Sequence, residues 1–248
     1  MKRYEHMGKV YVVGIGPGDA GMMTVQARKV LEDSDVIAGY RGYTQLVKDS
    51  FPDKEYYENG MGGELERCEK CLLLAEDGKR VSLVCSGDAG VYGMASPLME
   101  LAEKRGFRDI EIVPGVTAAL SGAAVLGAPL GGDFCTISLS DLMTPWEVIE
   151  KRLRAAAEGD FCIAIYNPSS RGRADHLKRA CRILMEKLSP DTPCGFVRNI
   201  GREGCYRAVC TLLELAEKET DMFVTVFIGN SQTRESNGKL VTPRGYKL

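Results

Sequence analysis

Apolar and polar positions along the chain fall into two alternating kinds of segment. Short apolar runs bounded by Gly, Pro or Asp occur at 9–15, 36–38, 80–85 and 110–113, and they predict strands. Between them, amphipathic stretches at 24–32, 64–77, 96–105 and 117–126 predict helices. Gly78 and Gly106 stand where C-terminal caps belong, and Pro97 lies near a first turn, where proline is tolerated. Strands alternating with helices imply parallel strands with helices on the sheet faces. The pattern pauses at 127–133, Gly-Ala-Pro-Leu-Gly-Gly-Asp, a stretch suited to a linker. It resumes with strands at 134–138, 161–166, 195–199 and 222–228 and helices at 145–157, 174–188 and 212–218. Residues 205–209 are a further strand candidate. The expectation is an α/β protein of two α/β domains, 1–130 and 131–248.

Composition narrows the function classes. A net charge of -2 argues against a general nucleic-acid binder, which would be clearly basic. No run reaches the roughly 18 apolar residues of a membrane helix. The N-terminus enters the first strand without a signal-like apolar core, so a cytoplasmic location is expected. Nine scattered cysteines do not read as a disulfide framework. Cys68 and Cys71 form a C-x-x-C, but they share a helix face with Leu65, Leu72 and Ala75, and no second pair completes a zinc site. The pair therefore reads as core, and no metal is expected.

The first strand ends in Gly14-Ile-Gly-Pro-Gly18. A dinucleotide fingerprint needs its third glycine at position 19, which is Asp19, and Pro17 removes an amide donor. Ligands of open parallel sheets bind beyond the carboxyl ends of the strands. Those ends carry 14–18, 86–93 and 114–118 in the first half, and 166–173, 198–202 and 229–231 in the second. All are rich in Gly, Pro or small polar residues, which offer backbone amides and carbonyls to a neutral or zwitterionic ligand. Asp88 and Asn167 become polar groups of an expected cleft. Only His6 and His176 are present, the latter expected to be solvated or capping, and no G-x-S-x-G elbow or P-loop occurs.

Together these loops resemble the tetrapyrrole methylase family, S-adenosylmethionine enzymes of corrin and sirohaem synthesis. The resemblance is carried by V-G-I-G-P-G, S-G-D-A-G-V-Y-G and P-G-V-T-A, and spans about residues 9–231. The segments 134–146 and 166–173 look like its precorrin-3B (cobalt-factor III) C(17)-methyltransferase branch. Ala89 departs from the wider family, where many members carry proline.

The resemblance implies a homodimer of two-domain, class III methyltransferase-like chains with the cofactor in a cleft between the domains. It assigns S-adenosyl-L-methionine to Pro17, Gly87, Asp88, Val91, Tyr92, Thr117 and Ala118, and to Tyr166, Asn167, Asn199, Ile228, Gly229, Asn230 and Ser231. S-adenosyl-L-homocysteine would be the product. A sulfonium cofactor needs no phosphate cradle, and methyl transfer gains mainly from positioning. The implied substrate, a precorrin or cobalt-precorrin, carries several carboxylates. Arginine pairs with carboxylates bidentately, and Arg41, Arg171, Arg173, Arg198, Arg202 and Arg207 lie near strand ends. Arg171 and Arg173, with Ser140 and Asp141, form the substrate-binding expectation.

This branch also contracts the macrocycle, a rearrangement that calls for proton exchange. Asp88 and Asp141 are the candidates, although the first could bind its own turn's amides and the second could cap the helix after Pro145. No acid or base is assigned. The competing readings are a sister methyltransferase acting at another carbon, a non-catalytic tetrapyrrole carrier, and an NAD-dependent dehydrogenase, which Asp19 disfavours.

Overall fold

The computed structural model describes residues 8–170 and 172–247, and the chain divides into two compact units, Met1–Ala118 and Ala119–Leu248. The first unit runs β1 (Lys9–Gly14), α1 (Val25–Asp33), β2 (Val36–Tyr40), α2 (Arg41–Lys48), β3 (Glu55–Asn59), α3 (Glu64–Glu76), β4 (Arg80–Cys85), α4 (Ala95–Arg105) and β5 (Ile110–Val113). Its sheet is wholly parallel, in the order β3-β2-β4-β1-β5.

Side chains alternate across a strand, and here both faces are buried. Val10 and Val12 of β1, with Val81 and Leu83 of β4, pack on Cys68, Cys71 and Leu72 of α3 and Leu98 of α4. Val13, Ile37 and Val84 face the other way, onto Ala27 and Leu31 of α1 and Val47 of α2. The apolar runs at 9–15, 36–38 and 80–85 are thus strands covered on both sides. The pair β3 and α2 escaped the sequence pattern because Glu55–Asn59 is an edge strand of mixed polarity with no fully buried position.

The second unit contains most of α5 (Ala118–Leu126), then β6 (Gly127–Ala128), β7 (Phe134–Ser138), α6 (Trp146–Glu158), β8 (Cys162–Tyr166), α7 (His176–Leu184), β9 (Pro193–Arg198), β10 (Tyr206–Thr211), α8 (Leu212–Leu215) and β11 (Val224–Ile228). A final hairpin, β12 (Arg234–Ser236) and β13 (Lys239–Val241), pairs with β6. By its contacts the chain divides ahead of the join at 130 that the Gly/Pro stretch suggests. The reason is α5: a Cβ added to Gly122 would lie 2.8 Å from Phe227 and 3.0 Å from Ile200, so this helix sits directly on the second sheet.

The expectation of parallel strands fails in this unit. In the order β10-β9-β11-β8-β7 only β7 and β8 run parallel. β11 is antiparallel to both β8 and β9, and β10 to β9. The connection from β9 to β10 is a short turn over 199–205, which forces a hairpin. Helix α8, only Leu212–Leu215, then leads back, and Val224 begins β11 opposite Arg198, the last residue of β9.

Candidate functional site

Three loops meet at the carboxyl ends of β1, β4 and β5, which are adjacent in the first sheet. Gly16 and Gly87 exchange two backbone hydrogen bonds, Gly16 N to Gly87 O at 3.0 Å and Gly87 N to Gly16 O at 2.7 Å. Both have left-handed backbones, with φ of 76° and 72°. A Cβ on Gly115 would stand 2.2 Å from Gly87 O and 2.6 Å from Gly14 C, so the backbones touch where a side chain has no room. Gly14, Gly87 and Gly115 are therefore one junction.

Asp88 pins it. Its Oδ1 accepts from the amides of Gly90 (2.8 Å) and Val91 (3.2 Å), and its Oδ2 accepts from Gly115 N at 2.9 Å. Of the two readings the sequence left open for Asp88, the turn is the one the geometry satisfies. Gly87 in turn lies over the Thr117–Ala118 peptide, 3.5 Å from Thr117 Cα when a Cβ is added. Tyr92, half-exposed in the same loop, has φ of 54°. Such a conformation in a bulky residue costs on the order of 1–3 kcal/mol and persists where the surroundings impose it.

The residue that spoils the dinucleotide fingerprint also acquires a role. Asp19 Oδ1 accepts from Gly21 N at 2.7 Å and caps the 3-10 turn Ala20–Met22. That turn delays α1, whose cap is Thr24: its hydroxyl accepts from Ala27 N (3.1 Å) and donates to Pro114 O (3.2 Å). The first helix thus does not start at the glycine loop, and the Gly16 amide is already taken by Gly87. No Lys or Arg occurs in 14–23, 86–93 or 114–118. The glycine loop thus offers a pyrophosphate no helix N-terminus, and these segments carry no Lys or Arg of their own.

In the second unit the ends of β7, β8 and β9 lie together, as their register requires. Tyr166 Oη accepts from Ala119 N at 2.8 Å, and Asn167 Nδ2 donates to Ser138 Oγ at 2.9 Å. Asn167 and Asn199 have φ of 51° and 54°, a conformation asparagine tolerates. Arg173 Nη1 donates to Ser140 Oγ (3.1 Å) and approaches Asp141 Oδ1 at 3.5 Å. Ser140, Asp141 and Arg173 are therefore brought together as one cluster. Arg171 lies outside the described residues.

The cluster contains a residue that sequence reasoning passed over. His176 is buried, not solvated. Its Nδ1 is 3.0 Å from Leu139 O and, because a carbonyl only accepts, carries the proton. Its Nε2 faces Asp141 Oδ2 at 3.6 Å. The ring stacks on Trp146 at 4.6 Å, whose other neighbour is the Arg179 guanidinium at 4.1 Å. The helical face carrying His176, Leu177 and Ala180 was the available signal.

Ile228, Gly229, Asn230 and Ser231 are not at this end of the sheet. Because β11 runs antiparallel, its last residue pairs with Ile163, near the start of β8. Gly229 N donates to Pro193 O, and Ser231 binds the Asp160 carboxylate through N (2.8 Å) and Oγ (2.7 Å). The notion that all the loops share one end is thereby corrected. The arginines disperse as well: Arg198 pairs with Asp221 at 2.9 Å and Arg207 donates to Val125 O. Cys68 and Cys71 lie fully buried in the core, where desolvation pushes the Cys68 thiol up to about 11 and the Cys71 thiol higher still.

Comparison with known proteins agrees along almost the whole chain. The family described as Tetrapyrrole (Corrin/Porphyrin) Methylases matches residues 9–216. A probable cobalt-factor III C(17)-methyltransferase of Salmonella typhimurium is 46% identical over 96% of this chain and 99% of its own. The crystal structure of the methyltransferase CobJ superposes with a TM-score of 0.86 at 38% identity, covering 95% of this chain and 100% of that one. Uroporphyrin-III C-methyl transferase from Thermus thermophilus, solved with S-adenyl homocysteine, gives a TM-score of 0.71 at 25% identity, covering 90% and 97% of the two chains.

Proposed function

This chain belongs to the tetrapyrrole (corrin/porphyrin) methylases, and we propose that it methylates carbon 17 of cobalt-factor III or precorrin-3B, with contraction of the ring, using S-adenosyl-L-methionine. The glycine junction of the first unit is the observation that carries the cofactor. It offers close backbone approach without a helix N-terminus at the glycine loop, and the charged residues of the loops themselves, Asp19 and Asp88, are both acidic. Those features suit a sulfonium cofactor and disfavour NAD. The Salmonella relative supports the position of methylation, and the Thermus structure supports the cofactor.

In this reading the loops at Pro17, at Gly87–Tyr92 and at Thr117–Ala118 hold the cofactor. Bound there, S-adenosylmethionine would supply an electrophilic methyl carbon to a nucleophilic ring carbon, with S-adenosylhomocysteine as the leaving group. The chain's own part is positional. Asp88 fixes the angle between the β4 and β5 loops, and the Gly16–Gly87 bridge fixes the β1 loop against them. A well-oriented pair of reactants gains about 7–11 kcal/mol over a random encounter. In the second unit Arg173, half-buried beside Ser140, offers a cation to a substrate carboxylate. Asp141, which faces both Arg173 and His176, is the group best placed to exchange a proton during contraction.

The deciding experiment gives the purified protein methyl-labelled S-adenosylmethionine with cobalt-factor III and, in parallel, metal-free precorrin-3B. One added methyl group at carbon 17 and a contracted ring, read by mass and NMR, are expected. Label at another carbon would make it a sister methyltransferase. Tight binding of the macrocycle without label transfer would make it a carrier.

A further inference from the structure

We infer that Leu142 and Met143 form an apolar tip that lies against the face of the tetrapyrrole macrocycle, with Arg173 beside it taking a carboxylate at the macrocycle's rim. The inference rests on the proposed function, because it names the part of the chain that recognises that substrate.

The tip is anchored at both feet. Leu139, one residue beyond β7, is fully buried and its amide donates to Tyr166 O at 3.0 Å. Asp141 lies 3.5 Å from Arg173 Nη1 through one oxygen and 3.6 Å from His176 Nε2 through the other. On the far side Trp146 is buried, with Nε1 donating to Glu150 at 2.6 Å and its ring against His176. Between these anchors Leu142 is 74% and Met143 96% exposed, the latter more than any other large apolar side chain among the described residues.

A single exposed apolar residue needs no explanation. Two consecutive ones on an anchored loop bury little area in the fold, and they stand at the same end of the sheet as Ser140, Asn167 and Arg173. A ligand that satisfies both sets is apolar on its face and acidic at its edge. That is the chemistry of a carboxylated macrocycle. A second copy of the chain is a poorer match, since two side chains flanked by Asp141 and Thr144 fall far short of a stable interface of about 800 Å² per partner. Methionine beside leucine also suits a large planar ligand, because its thioether adapts its shape and is polarizable.

The test substitutes Leu142→Gln and Met143→Gln, singly and together, with Met143→Leu as the conservative variant. All are at exposed positions, and denaturant midpoints equal to wild type are expected. The double variant should raise KM for cobalt-factor III about tenfold. KM for S-adenosylmethionine should stay unchanged, and Met143→Leu should behave as wild type. An unchanged macrocycle KM overturns the inference. So does a fall in sedimentation mass with KM unaltered, which would make the tip a contact between copies. If the wild type transfers no methyl group, the function reading fails separately. The tip is then tested by the shift of the macrocycle's visible absorbance on binding, which the double variant should weaken to a similar degree.

Discussion

Gly16 and Gly87 are joined by two backbone hydrogen bonds, which lock the loop after β1 to the loop after β4. With Gly115 wedged beneath Gly87 O and its amide held by the Asp88 carboxylate, the junction is a close-packed seat of main chain. Its close packing makes it sensitive to single carbon atoms.

Gly115→Ala is expected to destabilise the protein by about 1–3 kcal/mol, since its Cβ meets fixed backbone rather than a flexible side chain. S-adenosylhomocysteine affinity, measured by calorimetry, should fall with it. Gly60→Ala is the control: a Cβ there meets nothing within 4 Å, and its unfolding free energy should stay within about 0.5 kcal/mol of wild type.

Asp88→Asn turns an acceptor-only carboxylate into a group with one acceptor and one donor. Either Gly115 N or the Gly90 and Val91 amides then face an NH2 group. A loss of about 1–3 kcal/mol in stability is expected, with weaker cofactor binding. Full stability with methyl transfer abolished would instead give Asp88 a part in the chemistry.

Asp141→Asn should leave methyl transfer in place while suppressing contraction, because the amide cannot take up or release the proton the rearrangement calls for. Product mass and NMR separate the two steps. His176→Phe keeps a ring against Trp146 but leaves Leu139 O without its donor. It should lower stability by about 1–3 kcal/mol and weaken contraction more than methylation.

The buried thiols predict an alkaline limit. Burial holds the Cys68 thiol up at about 11 and the Cys85 and Cys181 thiols at about 12. Unfolding frees them to ionise near 8.5. The folded state binds the protons more tightly, so this contribution is whole below that value and is lost as pH rises toward 12. Denaturant midpoints measured from pH 8 upward should fall. In a thiol-reagent assay at neutral pH the exposed Cys205 should react at once, whereas Cys68, Cys71, Cys85, Cys181 and Cys194 should react only on unfolding.

Much of the fold was legible in the chain. The buried strands β1 and β4 carry their apolar character in the sequence, and Gly106 does cap α4 with a left-handed backbone. Where polarity is mixed, as in Glu55–Asn59, periodicity carries no signal. Strand direction is not written in periodicity either, because an antiparallel β11 and a parallel one need the same apolar residues. That is why the sequence alone groups Gly229–Ser231 with Tyr166 and Asn199.

The sequence by itself determined the alternating elements, the glycine loops that end the first sheet's strands, and the motifs that tie the chain to its family. Local chemistry suffices for these, since capping, apolar periodicity and glycine's freedom act over a few residues. Only the tertiary structure decided what Asp88 and His176 do across the fold. Asp88 binds an amide 27 residues away, and His176 meets Leu139 across 37. Such roles depend on which strands lie side by side, and that is settled by packing over the whole unit.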